Sequence, residues 1–528
     1  MPQTRQTPSQ AATETVEALK AKVSPDEAVK MTSGHGEAGR HPKREVLDAL
    51  AGHKDPGMFG RMFPKLPPLA VPDAKLKALA DAMLDADPND ATQDNPNIPG
   101  GFTYLGQFID HDITLDLTSL SEKAKDPTAT ENFRTPSLDL DSIYGLGPDG
   151  SPHLYQRDPA NPGKQLPKFL IGKNINVGFG GVTGDFQNDL PRSPQGFALI
   201  GDHRNDENLL VAQTHLAFLK FHNKVVDILA AKPNPPANLF AEARKLVTWH
   251  YQWMVLHDWV ERLTEPGIVA KILHNGRKYY RFKTLPYIPV EFSGAAYRLG
   301  HSMVRQTYSH NKVFQDTGFD LLFGFTGLSG QIIGDLAPNP PAGPLPVSVL
   351  PSNWIIDWRR FYDLNTPPGS PNGFKLNATR KLDPFLVQEL HNLPGGSSLP
   401  FRNLQRGVRL GLPSGQDVAT LMKIKNPMTP DEIASGPDGA VAKAQGLHKA
   451  TPLWYYILKE AQVKGGGLRL GPVGSTIISE VFVGLVHGDH QSYLWQVKNW
   501  KPTLPSAKPG DFTMNDLLRL VDDVNPIG

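Results

Sequence analysis

Between Asp206 and Ala230 the chain reads DENLLVAQTHLAFLKFHNKVVDILA, a helical pattern that is apolar nearly all round. A helix with one apolar stripe can lie on a surface, but one apolar on every side must be enclosed, so this segment demands a large core. A second long helical pattern follows at 239–262, LFAEARKLVTWHYQWMVLHDWVER, with three tryptophans. Further helical periods fall at 290–308, 415–424 and 473–487, and alternating strand patterns are scarce. The expected fold is mainly α with very little β. Gly (49) and Pro (49) make almost a fifth of the 528 residues, so long ordered loops should join the helices. The Pro-rich stretch 335–353 must be a loop, because its prolines forbid helix interiors and central strands. Strong helical patterns on both sides make it an insertion within one domain. Residues 1 to about 55, polar and rich in small side chains, read as a flexible arm, leaving 56–528 as one large domain.

Composition narrows the chemistry. With no cysteine, disulfides, zinc–thiolate sites, iron–sulfur clusters and thiolate-ligated haem are excluded, so any metal rests on His, carboxylates, hydroxyls or backbone oxygens. Lys plus Arg (54) nearly cancels Asp plus Glu (53), and no basic run suggests a nucleic-acid partner. No apolar stretch is long enough to span a membrane, and the N-terminal residues lack the apolar region of a secretory leader. The expectation is a cytoplasmic protein, or one exported by a leaderless route.

Five segments carry candidate chemistry. TYLGQFIDHDITLD (103–116), wound as a helix, sets Tyr104, Leu105, Phe108, Ile109 and Ile113 on one side. Gln107, Asp110, His111 and Thr114 fall on the other, with Gln107 and His111 one turn apart. By itself this also describes a solvated amphipathic helix. In GDHRNDENLL (201–210), Asn205 or Asp206 is placed to cap the buried helix, with Arg204 just outside and Glu207 in its first turn. Glu there is ordinary compensation of the helix dipole, but a charge cluster entering a buried helix needs partners or a task. In VEFSGAAYRLGHSMVRQTYSHN (290–311), Phe292, Ala295, Ala296, Leu299 and Met303 share a stripe while His301 points elsewhere. In RTPSLDLDSIYG (134–145), Thr135, Ser137, Asp139 and Asp141 alternate, so an extended backbone turns their oxygens one way, as hard oxygen-seeking Ca²⁺ requires. The spacing is not that of an EF-hand, and such a loop is equally an ordinary turn. LPFRNLQRGVRLGLP (399–413), with Asn403 and Arg406, reads by composition as a basic loop.

In this order the five segments resemble the animal-type haem peroxidases of the peroxidase–cyclooxygenase superfamily, over about Gly101 to Gln416. The resemblance implies a large helical haem peroxidase fold, in a microbial single-chain version. GQFIDHD is similar to the distal-histidine signature, which makes His111 the acid–base catalyst, Gln107 the distal glutamine, Asp110 an ester-forming carboxylate and Asp112 a calcium ligand. GDHRNDEN resembles the GD-x-R-x-x-E pattern, implying Arg204 as distal arginine and Glu207 as second ester-forming carboxylate. TPSLDLDSIYG looks like the calcium loop, in which Thr135, Ser137, Asp139 and Asp141 join Asp112; the family often has Ser at the last position. YRLGH resembles the proximal motif, making His301 the iron ligand with Arg298 beside the cofactor. RNLQRGVRLGLP is similar to the segment giving Asn403 to that histidine and Arg406 to a haem propionate. Some members carry Met after the ester-forming Glu; here it is Asn208, so no sulfonium link to haem can form.

What the resemblance implies is a peroxidase with haem b and Ca²⁺. Hydrogen peroxide would be reduced with His111 and Arg204 assisting, through a ferryl intermediate, and a small donor (halide, pseudohalide or phenol) oxidised. The alternatives are a haem fatty-acid dioxygenase of the same superfamily and a non-catalytic calcium- and haem-binding adhesion module. Dioxygenases resemble one another in a Tyr three residues before the proximal His, where this chain has Arg298. The retained Gln107, His111 and Arg204 speak against a module without turnover.

Overall fold

The computed structural model describes residues 59–115, 134–176, 180, 182–194, 196–282, 285–323, 349–365, 374–393 and 398–528. The N-terminal arm and all but the last residues of the Pro-rich insertion lie outside this set. The fold is mainly helical, and among the described residues strands occur only as three short antiparallel pairs. One of them joins Asp94–Pro99 to Ala378–Arg380 and so ties the segment before the first site helix to a distant loop.

Among the described residues six helices run to eleven residues or more: α1 (Gly101–Ile113), α2 (Leu209–Ala230), α3 (Leu239–Met254), α4 (Leu399–Arg409), α5 (Leu453–Gly465) and α6 (Pro472–Gly488). The all-round apolar segment is α2, enclosed as its pattern demands and packed against α1 and α3. Lys224 and Asp227 reach solvent near its C-terminal end, while polar side chains buried along it find partners. Gln213 Nε2 donates to the Asn188 carbonyl at 3.0 Å, and His222 bonds Tyr144 Oη at 2.9 Å and the Pro167 carbonyl at 2.8 Å. Such pairing removes the several kcal/mol that an unsatisfied buried polar group costs. Among the described residues no helix is long and apolar enough to cross a membrane.

Several boundaries differ from the sequence reading, each for a local reason. Helix α2 starts at Leu209, capped by Asn208, whose Oδ1 accepts from Val211 N at 3.0 Å; neither Asn205 nor Asp206 caps it. Those two lie in a separate 3₁₀ turn, His203–Asp206, capped by Asp202, so Glu207 precedes α2 and does not compensate its dipole. The 239–262 pattern continues α3 through a π-helical turn, Val255–Val260. The 290–308 helix does not form as one piece. It stops at Ser293 and resumes as 3₁₀ turns over Ala296–Met303, because Gly294 is pressed against α4's end, where a Cβ would sit 2.6 Å from Leu410 Cδ1. The 399–413 segment is not a loop through its first part: α4 covers Leu399–Arg409, capped by Ser398, with Pro400 tolerated in the first turn and Asn403 and Leu404 buried.

Candidate active site

A cavity of about 340 Å³ opens between α1, the His203–Asp206 turn, the Ala296–Met303 turns and α4. Gln107, Asp110 and His111 reach it from α1, and Arg204 and Glu207 from the turn region. Arg298 and His301 line it from the 3₁₀ turns, and Asn403 and Arg406 from α4. Every one of these nine was named from sequence. Helix α1 comes this close because it carries Gly106: a Cβ there would lie 2.9 Å from Trp259 Cζ2. Trp259 belongs to the π-helical turn, lines the cavity, and donates from Nε1 to the Phe102 carbonyl at 3.1 Å. Interrupting a helix by one wide turn re-aims its side chains, a common device at sites.

On the α1 side, His111 is buried, and its Nδ1 lies 2.8 Å from Asn205 Oδ1. Its Nε2 is 3.7 Å from Glu207 Oε1. Burial, reinforced by the Arg204 charge, pushes its pKa down to about 4, so the ring is neutral near pH 7. Arg204 donates from Nη2 to the main-chain oxygen of His111 at 2.8 Å and from Nη2 and Nε to Asp202. Burial pushes Asp202 up, but the guanidiniums of Arg204 and Arg134 outweigh it and hold the carboxyl well below its ordinary range. Gln107 Nε2 donates to Glu207 in a short bond, and Asn208 Nδ2 donates to Gln107 Oε1 at 2.9 Å. Burial raises Glu207 to about 8 despite the Arg204 charge. Asp110 accepts from Thr114 Oγ1 at 3.1 Å.

On the other side, Asn403 Nδ2 and His301 Nδ1 are 2.8 Å apart. Burial, then the Arg298 and Arg406 charges, lower His301 to about 3, which leaves a neutral imidazole near pH 7. Arg298 is braced by its Nε donating to the Ser293 carbonyl at 2.8 Å. Tyr297, one place off the dioxygenase position, donates its hydroxyl to the Gly106 carbonyl at 3.0 Å and stacks on Phe292, so it locks the turns onto α1.

Asp112 follows His111 yet faces away from the cavity, into a buried cluster. One carboxylate oxygen each of Asp112, Asp139 and Asp141 lies within 4.8 Å of the others. Leu140, between the last two, is held at φ 58°, a conformation costly for a side-chain-bearing residue and repeatedly found where a site dictates the backbone. The simple alternation read from sequence is therefore broken: Asp141 already begins a helical turn, Asp141–Tyr144. Asp141 Oδ1 accepts from Arg134 Nη1 at 3.0 Å. Its Oδ2, and the buried Oγ of Ser137, have no hydrogen-bond partner among the described residues. Thr135 is half-buried, and its carbonyl accepts from Ser137 N. Gly201 abuts this loop, where a Cβ would meet the Ser142 carbonyl at 2.5 Å, which explains a glycine before Asp202.

Sequence reasoning gave Asn205 only a capping role, which it does not play, and gave none to Asp202 or Arg134; these three hold the named residues. Nor did it single out Arg402, one turn before Arg406 and lining the same cavity. The Gly-Asp opening the second segment was a readable sign of Asp202; nothing local marks Arg134.

This mainly helical fold, with His111 and His301 lining one cavity, has counterparts among solved peroxidases and fatty acid dioxygenases. Peroxidase A of Dictyostelium discoideum superposes with TM-score 0.53 at 16% identity, covering 83% of this chain and 89% of that one. A fatty acid α-dioxygenase of Arabidopsis thaliana gives 0.51 at 15% identity, over 98% of this chain and 88% of its own. At such identities the likeness is one of fold. The sequence profile described as animal haem peroxidase matches residues 118–504, and the chain belongs to that family. The match begins after His111 and takes in Arg204, His301 and Asn403. The chain is also similar to a chorion peroxidase of Drosophila melanogaster, 29% identical over 310 residues, which are 56% of this chain and 34% of the relative. A peroxidase-like protein of Margaritifera margaritifera is 25% identical over 383 residues, 59% of this chain and 44% of its own. The chain thus spans from a third to under half the length of these two relatives.

Proposed function

We propose that the protein reduces hydrogen peroxide at a haem b held in this cavity and oxidises a small donor, a halide, pseudohalide or phenol. The observation that carries the reading is a neutral His111 braced by Asn205 and Arg204, sharing one cavity with a neutral His301 braced by Asn403. The donor set suits the group: an imidazole for the iron at His301, and guanidiniums of Arg298 and Arg406 on the same side for its carboxylates. When bound, the haem supplies the electrons that peroxide takes up, to be replaced by the donor.

The chain's own residues move the protons. Peroxide must lose a proton from one oxygen and gain it on the other before the O–O bond parts, leaving water on that side. His111 Nε2, unprotonated near pH 7, takes the first proton and returns it to the departing oxygen. Arg204, charged at any relevant pH, stabilises negative charge gathering there. Gln107, held by Glu207 and Asn208, presents a polar wall beside them. The Asn403 amide, whose Nδ2 lies 2.8 Å from His301 Nδ1, would have to turn end for end on cofactor binding; its oxygen would then accept from Nδ1–H, pull less than a carboxylate would and keep that ring close to neutral imidazole. Asp110 and Glu207 would hold the haem through ester bonds, each formed at the cost of one peroxide: a carboxyl O–H and a methyl C–H are lost, an O–C bond is gained, and the two electrons and two protons released per bond turn that peroxide into two waters.

Calcium belongs to the same reading. Four buried carboxylates, of Asp112, Asp139, Asp141 and Asp202, meet the guanidiniums of Arg134 and Arg204. Two negative charges remain, which one divalent cation balances, and the partnerless Ser137 Oγ and Asp141 Oδ2 supply further oxygens. Bound there, the ion would fix Asp112 and with it the ring of His111.

The test is the absorption spectrum of haem-replete protein before and after one equivalent of peroxide, with oxidation of a phenolic dye. His111→Ala should keep the haem and lose dye oxidation by about 10² or more; His301→Ala should lose the imidazole-ligated spectrum. Equal dye oxidation by wild type and His111→Ala would overturn the proposal. Freely extractable haem would overturn the ester links alone.

A further inference from the structure

We propose that Asn205 is a positioning residue whose one amide bridges His111 and His215 and forces the two imidazoles into opposite tautomers, leaving His111 Nε2 a bare acceptor toward the cavity. Asn205 Oδ1 lies 2.8 Å from His111 Nδ1, and Asn205 Nδ2 lies 3.0 Å from His215 Nδ1. All three side chains are buried, at 0% exposure for Asn205 and His215 and 5% for His111, so water does not compete for these contacts. An amide oxygen only accepts and an amide nitrogen only donates. The ring facing the oxygen must therefore carry its proton on Nδ1, and the ring facing the nitrogen must carry it on Nε2. His111 is the ring facing the oxygen.

Among the described residues no other side-chain hydrogen bond sets the second ring. His215 Nε2 has no hydrogen-bond partner among the described residues, and the ring stands edge-on to Phe108 of α1 at 6.1 Å. The amide alone selects its tautomer. The amide in turn is fixed by its turn: Asn205 N donates to the Asp202 carbonyl at 3.0 Å, and the Asp202 side chain accepts from Arg204 N at 2.9 Å. One four-residue turn thus grips His111 twice, by the ring through Asn205 and by the main chain through Arg204.

The consequence is chemical. A neutral imidazole protonated on Nε2 cannot take a proton from peroxide at that atom, and one protonated on Nδ1 can. The inference rests on the reading of His111 as the base, but tautomers can be measured without turnover. The probe is the holoprotein in its diamagnetic ferrous–carbonyl form with ¹⁵N-histidine, its signals assigned by comparison with His111→Gln and His215→Gln. Expected are one Nδ1–H ring and one Nε2–H ring in wild type. In Asn205→Asp, whose carboxylate accepts on both sides, both rings should be Nδ1–H. Cyanide uptake by the ferric protein, which also needs a base at Nε2, should slow by about 10² in Asn205→Leu and recover to within a few-fold of wild type in Asn205→Asp. The same tautomer for both rings in wild type, or an unchanged cyanide rate in Asn205→Leu, overturns the proposal; should that variant not fold, the wild-type and Asn205→Asp spectra still decide it. If wild type binds no haem, the functional reading falls, and the same ¹⁵N spectra of the haem-free protein, itself diamagnetic, decide the tautomers.

Discussion

With calcium on the Asp112–Asp139–Asp141 cluster, as proposed, chelation should loosen the fold by an amount set by the ion's binding free energy. Without a cation the Asp112, Asp139, Asp141 and Asp202 carboxylates outnumber the Arg134 and Arg204 guanidiniums by two, all within a region almost closed to solvent. A divalent ion at about 100 times its dissociation constant stabilises the folded state by about 2.7 kcal/mol. An unfolding entropy of about 2.1 cal/mol/K per residue gives roughly 1.1 kcal/mol/K for a chain of this length, so chelation should lower the melting midpoint by about 2–3 °C. Arg134→Met keeps the bulk and removes one positive charge, breaking pairs of 2.5 and 3.0 Å. Breaking buried pairs costs about 3–5 kcal/mol, and the gap between calcium and chelator should widen because the residual charge rises from two to three. The double variant Asp139→Asn, Asp141→Asn removes those two charges and should melt alike in both buffers. The assay is circular dichroism melting in millimolar calcium, in magnesium and in chelator. Coincident midpoints for wild-type protein in calcium and chelator would refute the reasoning.

Glu207 should make the haem-free fold sensitive to alkali. Its carboxyl is raised from 4.5 to about 8, so the stability it contributes is complete below about pH 4.5 and is lost as pH rises through 8. At about 1.4 kcal/mol per pH unit the loss is on the order of 5 kcal/mol, and Glu207→Gln should flatten the profile of urea midpoint against pH. Gly106→Ala puts a methyl 2.9 Å from Trp259 Cζ2, and overpacking of that kind should cost about 1–3 kcal/mol. A urea midpoint equal to or above wild type would count against that close approach. Asn208→Ala removes the cap of α2 and the donor to Gln107, with about 1 kcal/mol lost in denaturant titration.

The parts of the molecule that declared themselves in sequence are those whose chemistry repeats locally. Helix α2 was visible because its burial is written into every turn, and α1 because Gln107 and His111 share a face. What stayed hidden depended on distant neighbours. The break at Gly294 answers to Leu410, over a hundred positions later, and periodicity carries no record of that contact. Helix α4 read as a loop because its arginines outweigh a short apolar face of Leu404 and Val408, and its stability comes from Ser398 and from packing. The nine cavity residues were named through resemblance, whereas Asn205 and Arg134 act through partners 94 and 68 positions away and have no motif of their own.

Arg204 grasps the carbonyl oxygen of residue 111, an atom that every amino acid possesses. Exchanging the imidazole for another side chain therefore leaves the guanidinium seated where it is. Guanidinium and imidazole are thus mechanically separable: one is tied to the helix backbone, the other is whatever group that backbone displays. A protein engineer can vary position 111 freely while the cation beside it stays in register, and so ask of a single pocket which acids, bases or bare surfaces it can employ.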